Sequence, residues 1–255
     1  MKHKVLLALF CIISIPLIEI QAQSVNEFFR IIKMGSNSFI IGNNTTGILI
    51  DAGSHNKFHK FKSALEKLKK SPDWIKYIII THTHYDHVAN LAEIKKLTGA
   101  QIIIHKDEAR YIESGYTCLP DGMNTIGRTG RWFVDFFNID KTKIKPVQPD
   151  IRINSSLDMS FTGLDLEIVP TPGHSNGSIS VIWNDTIAFC GDVAFAIIGF
   201  DVWPITGKDP QYILNSWKVL LNLGCKIYYP GHGKRFTDER LQKSLDKHID
   251  KHSSQ

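Results

Sequence analysis

Thr81-His82-Thr83-His84-Tyr85-Asp86-His87 places three imidazoles and one carboxylate within six residues, directly after the apolar run Tyr77-Ile78-Ile79-Ile80. Lys76 to Thr81 reads as a short strand buried on both faces, because it is continuously apolar rather than alternating. His82 and His84 are two apart, so on an extended backbone they point to the same side. Asp86 and His87 come from the turn into the next element, a second direction of approach. Four ligand-type side chains on one turn exceed what a single tetrahedral zinc needs once a water position stays open. The stretch therefore reads as half of a two-metal site, with the other half supplied later in the chain.

Three later turns fit that need: Gly173-His174, Gly191-Asp192 and Gly231-His232. His174 follows the strand pattern through Val169, Asp192 the one through Cys190, and His232 the one through Tyr229. Each is expected at a strand's carboxyl end, in a glycine-containing turn. A lone histidine in such a place is more often a surface or hydrogen-bonded core residue. Recurrence of one placement in every case is what argues for ligands.

Outward from these turns the chain alternates strand and helix patterns, which argues for sheets covered by helices. Strands are expected at Phe28–Ile32, Ser38–Ile41, Gly47–Asp51 and Gln101–His105, and again at Ile151–Ile153, Met159–Phe161, Leu164–Val169, Ser178–Trp183, Thr186–Cys190 and Lys226–Tyr229. Helical spacing of Phe58, Phe61, Leu65 and Leu68 runs from Lys57 to Lys70 and stops before Pro72. Val88, Leu91, Ile94 and Leu97 define a helix ending at Gly99, and Lys106 opens a short one. Asp209-Pro210 reads as an N-cap and first turn. A final helix is expected from Thr237 to about His248. Residues 114–150 break the alternation, rich in Gly and Pro yet carrying Trp132-Phe133-Val134-Asp135-Phe136-Phe137. A linker would not carry that aromatic density, so this excursion either caps a site or fills space.

With 255 residues and a formal net charge of +5, the chain is long enough for a sizeable core and its lysines form no nucleic-acid track. Lys2 and Lys4, the apolar Val5 to Ile18 and Gln21-Ala22-Gln23 read as a signal peptide over residues 1–22. The remainder, 23–255, reads as one domain acting in the periplasm or secreted, with no stable membrane insertion after cleavage. Cys118, Cys190 and Cys225 remain; export permits one disulfide, but Cys190 and Cys225 read better as buried apolar fillers.

The ordered set His82-Thr83-His84-Tyr85-Asp86-His87, Gly173-His174, Gly191-Asp192 and Gly231-His232 resembles the metallo-beta-lactamase superfamily over about Phe28 to Phe236. The resemblance implies an α+β fold, a four-layer αββα sandwich of two mixed β-sheets flanked by helices, with an internally duplicated β-rich arrangement. It implies that His82, His84 and His174 hold one metal, that Asp86, His87 and His232 hold a second, and that Asp192 bridges both. A hydroxide shared between the metals would be the nucleophile, and Asp86 and Asp192 are the carboxylates expected in the chemistry. Imidazole and carboxylate without thiolate suit two Zn²⁺ per chain, with Fe or Mn as alternatives. A single metal with Asp86 as base is the simpler rival.

The implied activity is hydrolysis of a small acyl-type substrate, a lactone, thioester or beta-lactam. A phosphodiesterase of the same fold and a non-catalytic metal-binding protein are the competing readings. A bridging aspartate resembles glyoxalase II-like thioesterases and lactonases, whereas export suits a beta-lactamase better. The flavodiiron branch has glutamate where His84 stands, so electron transfer is not expected. An apolar rim is expected from Trp132–Phe137 and from Phe195 to Trp203. Tyr85 is a candidate oxyanion donor or a packing residue, Arg128 and Arg131 candidate anion binders, and His55 and His105 candidates for supporting roles.

Overall fold

A computed structural model describes residues 27–117, 121–123, 128–129, 132, 143–197 and 201–252. The stretch expected to be a signal peptide, Cys118, Arg131 and most of the aromatic excursion lie outside the described residues.

Three antiparallel strands open the chain: β1 (Phe28–Met34), β2 (Ser36–Gly42) and β3 (Gly47–Ile50). Helix α1 (Phe58–Leu68) and one 3-10 turn then lead to β4 (Ile75–Ile80), which pairs parallel with β3. The one-turn α2 (Tyr85–Val88) and α3 (Leu91–Thr98) follow, then β5 (Gln101–His105), α4 (Lys106–Ser114) and β6 (Ile151–Ile153), again parallel. These six strands form one sheet in chain order.

The second sheet is built from β7 (Leu157–Asp158), β8 (Leu166–Pro170), β9 (Ile179–Trp183), β10 (Ile187–Ala196), β11 (Ile227–Gly233) and β12 (Phe236–Thr237). Its pairs are antiparallel except β10 with β11, which a crossover through α5 (Pro210–Asn222) makes parallel. Helix α6 (Asp238–His252) closes the chain. Among the described residues no helix is long and apolar enough to cross a membrane.

The period of two in a strand explains the layers. Ile78 and Ile80 face the helices α1, α3 and α4, while Ile79 between them faces the other sheet. Ile102 and Ile104 against Ile103 repeat the pattern on β5. Between the sheets lie Phe39, Ile50, Ile168, Val181 and Phe189; beyond the second sheet, Cys190, Trp217, Tyr228 and Leu241 pack with α5 and α6. This is the four-layer αββα sandwich of two mixed sheets. Cys190 and Cys225 are both buried and unbridged in the outer layer, as apolar fillers.

Several boundaries differ from expectation. Met159–Phe161 is no strand: β7 ends at Asp158, Met159 drops into the core, and Ser160–Thr162 form a 3-10 turn. Asp158 accepts the N–H and hydroxyl of Ser160 (2.8 and 3.0 Å), the local bonding that turns a chain out of a ladder. Asp192 and His232 lie within β10 and β11, which continue past the expected ends through register shifts at Gly191. The Asp209 cap holds, accepting the N–H groups of Gln211 and Tyr212 (2.8 and 3.1 Å).

Because Ile79 is fully buried between the sheets, Ile79→Ala is expected to cost about 3 kcal/mol in urea unfolding, the usual loss for a buried branched side chain with its cavity. Lys76→Ala, exposed on the same strand, should change stability by less than about 0.5 kcal/mol.

Candidate metal centre

The turn after β4 is held by a carboxylate. Asp51, in the left-handed region (φ 60°) just past β3, accepts the backbone N–H and the hydroxyl of Thr81, both at 2.8 Å. Its Oδ2 also accepts from His87 Nδ1 at 2.7 Å. That bond fixes the tautomer of His87, so its Nε2 is the free nitrogen, turned toward the other candidates.

Glu108 does the same work one turn further along. It is 2% exposed and accepts the Thr83 N–H at 3.0 Å, the Thr83 hydroxyl in a short bond, and the Gly177 N–H at 3.2 Å. Thr83 stands between His82 and His84, and Gly177 follows His174, so one carboxylate ties two ligand turns together. His174 Nδ1 donates to the Thr206 carbonyl at 2.9 Å, which leaves its Nε2 facing inward. On the far side, the Ser36 hydroxyl donates to the Asp86 carbonyl (2.7 Å) and the Asn37 amide to the Pro230 carbonyl (2.8 Å), clamping the turns of Asp86 and His232 to β2. Gly231 admits no side chain: a Cβ there would lie 2.1 Å from Asp192 Oδ1.

All seven candidates come together. Three overlapping groups have donor atoms mutually within 4.8 Å: His82 with His84 and His174, His82 with His87 and Asp192, and Asp86 with His87 and His232. His84 Nδ1 and His174 Nε2 are 2.8 Å apart. Asp192 lies between the two ends, Oδ2 3.6 Å from His174 and 3.4 Å from His232, Oδ1 3.4 Å from His87. His232 Nε2 stands 3.0 Å from Asp86 Oδ2.

His82 Nε2, His87 Nε2 and Asp192 Oδ1 are buried without a hydrogen-bond partner. Such atoms are costly unless something answers them. Lone pairs of three residues converging on one interior space suit a divalent cation, and the cluster fits a metal site.

The electrostatics agree. Burial, reinforced by the neighbouring imidazoles, holds His82 well below its usual pKa and His84 at about 3. Burial also lowers His174, against the opposing pull of Asp192. These three are neutral, with lone pairs available. Burial raises Asp192, but His232 and His87 outweigh it and bring the carboxyl down to about 2. At Asp86 burial is likewise outweighed, by His87 and His232. At His87 and His232 burial opposes charge, yet Asp192 and its fellow carboxylates prevail and favour positive charge there. A field that draws a proton to those positions also favours a cation.

Other candidates take other places. Tyr85 packs against the first core with its ring edge-on to His55 (5.0 Å between centroids). His105 accepts the Asp107 N–H at 3.3 Å and caps α4. Phe195 does line the centre, 5.1 Å from His232 and 6.1 Å from His174 between ring centroids. Trp203 does not: it stacks on His248 at 4.2 Å in the outer helical layer. Arg128 is exposed. Beside His84 and His174 opens a cavity of about 560 Å³ with a largely polar and charged wall; residues 133–137 and 198–200 of the expected apolar rim lie outside the described residues. Asp51 and Glu108 escaped sequence reasoning. Asp51-Ala52-Gly53 at a strand end was a usable signal; the burial of Glu108 had none.

The family model for the metallo-beta-lactamase superfamily matches residues 32–232. A probable metallo-hydrolase of Methanocaldococcus jannaschii is 29% identical over 203 residues, 78% of this chain and 88% of that one. An atrochrysone carboxyl ACP thioesterase of Aspergillus fumigatus is 23% identical over 219 residues, 85% of this chain and 56% of its own. The crystal structure of an archaeal superfamily protein from Sulfolobus tokodaii superposes with a TM-score of 0.66 at 20% identity, covering 87% of this chain and 86% of that one.

Glu108→Ala is expected to leave two amides and a hydroxyl unanswered inside the protein and to cost about 3 kcal/mol, read as a fall in Tm. Glu108→Gln keeps one acceptor oxygen and should lose about half as much.

Proposed function

The chain belongs to the metallo-beta-lactamase superfamily, and from that membership and its ligand cluster we propose that it is an exported, binuclear metal-dependent hydrolase of a small acyl-type substrate. The observation that carries this reading is the convergence of unpartnered buried donors on His82, His87 and Asp192, with the remaining candidates flanking them on both sides. His82, His84 and His174 would hold one cation and Asp86, His87 and His232 the other, with Asp192 facing both. Zinc suits this donor set. When bound, two such ions lower the pKa of a water into the neutral range and polarise the carbonyl oxygen under attack.

The chain's own residues do the rest. Asp51 and the Thr206 carbonyl keep His87 and His174 in fixed tautomers. Asp192, 4% exposed, supplies negative charge that offsets the cations. Asp86, 32% exposed beside a 28% exposed His232, stands where solvent and substrate enter. Its carboxylate would orient the attacking water by accepting a hydrogen bond from it. Phe195 presents an apolar wall to the same space and limits bulk water there.

A lactone, thioester or beta-lactam meets these requirements, since each offers an electrophilic acyl carbonyl whose bond to oxygen, sulfur or nitrogen breaks as water adds. The thioesterase among the relatives supports the acyl class. The apolar leader at residues 1–22 supports export to the periplasm or beyond.

Elemental analysis should find about two zinc ions per chain, both lost with activity in His84→Ala and Asp192→Ala. Activity should fall more than about a hundredfold, beyond what loss of an outer hydrogen bond does. Nitrocefin, homoserine lactones and simple thioesters should include the turned-over substrates. Hydrolysis of bis-p-nitrophenyl phosphate alone, or full activity in His84→Ala, would overturn the reading.

A further inference from the structure

We propose that the outer face of α1 docks on an anionic phospholipid surface, its lysines meeting the headgroup phosphates. Residues 57–70 hold six lysines, Lys57, Lys60, Lys62, Lys67, Lys69 and Lys70, against the single acid Glu66. The formal charge of that segment, +5, equals that of the whole chain, so over the remaining residues the two signs cancel. The helix turns Phe61, Ala64 and Leu65 inward and leaves His59, Lys62, Glu66, Lys67 and Lys69 exposed on its outside.

Within the fold this charge is not neutralised. Lys60 Nζ donates to the Lys33 carbonyl at 2.8 Å and Lys70 Nζ to the Asn44 carbonyl at 3.2 Å, while Lys62 lies over the Phe58 ring at 5.5 Å. All these partners are uncharged, and among the described residues none of the six lysines forms a salt bridge with a carboxylate. Asp73, the next acid along the chain, bonds to Ser71 and lies near Lys76. Helix stability does not account for the lysines either. Positive charge is favourable in the last turn of a helix and unfavourable in the first, yet Lys57 and Lys60 open α1 with no acid in its first turn. Lys69 ends it in the left-handed region (φ 54°), where glycine costs least. Lysines in those places work against the helix, which points to a negative partner outside it.

A broad surface fits better than a single anion, because the lysines are spread along about 16 Å of helix rather than gathered at one point. The path of the chain identifies that surface as lipid. The apolar stretch Val5–Ile18 ends ten residues before Phe28, which opens β1. Phe28 lies under Lys70, whose Nζ is 4.4 Å from the ring centroid, and edge-on to Trp74 at 6.0 Å. Ten residues reach at most about 35 Å. A bilayer that takes up the apolar stretch is therefore within reach of the basic helix, and the lysines would keep the protein there once the stretch is cleaved. Each lysine close to an anionic bilayer is worth about fivefold in partitioning.

The test is co-sedimentation of the full chain with vesicles of phosphatidylcholine alone and with vesicles containing about a quarter phosphatidylglycerol. Attachment through residues 5–18 alone would not distinguish the two lipids, so the difference between them reports the lysines. Lys57→Gln/Lys62→Gln/Lys67→Gln/Lys69→Gln removes four charges from α1. Lys106→Gln/Lys208→Gln/Lys218→Gln/Lys243→Gln removes four from exposed positions elsewhere and leaves the same net charge. The phosphatidylglycerol vesicles should be preferred at low salt, with the preference lost at high ionic strength. It should fall more than about a hundredfold in the α1 variant and survive in the other. Equal binding to both lipids, equal loss in the two variants, or tighter binding of a DNA duplex than of phosphatidylglycerol vesicles through the same lysines would overturn the proposal.

Discussion

Imidazoles buried around a shared carboxylate call for positive charge among them. His82, His84 and His174 are neutral and each at most 5% exposed, and His87 and Asp192 are buried with them. Asp51 and Thr206 hold the outward nitrogens of His87 and His174, so the inward ones of those two rings cannot turn away to find other partners. Burial of this kind is unfavourable by itself, because each unanswered donor or acceptor forfeits its water. Coordination by a cation would convert that penalty into binding energy, which couples metal affinity to the folded state.

The sandwich exists in a form that makes this convergence possible. Each sheet contributes ligands along one edge: the turn after β4 from the first, and the loop after β8 with β10 and β11 from the second. The sheets are joined across that edge by polar ties rather than by apolar packing alone. Glu108 links the first-sheet turn to the His174 loop, and Asn37 links β2 to the His232 turn. Small residues serve the same end, since only glycine at 231 leaves room for Asp192.

Much of this was legible in the sequence, for reasons that differ by residue. The isoleucine run before His82 declares a two-sided strand because both its faces are apolar, and the layers follow from that. All seven candidate ligands were legible because each sits beside a glycine or within one dense motif. Ser160 was not: a short apolar alternation, Met159-Ser160-Phe161, mimics a strand until the Asp158 side chain turns it. Glu108 was hidden because a helix's first turn is a normal place for an exposed acid, and only tertiary packing buries this one. Phe195 and Trp203 carry the same apolar signal, yet one faces the centre and the other a helix. An apolar side chain in the sequence does not say which side of the sheet or loop it faces.

The account stands on two cations sharing one carboxylate. Anomalous diffraction at the zinc edge, on crystals of the zinc-loaded protein, tests that most directly. Two peaks are predicted, one among His82, His84 and His174 and one among Asp86, His87 and His232, with Asp192 between them. A single peak, or none while His84 and His174 remain directly hydrogen-bonded to each other, would contradict it.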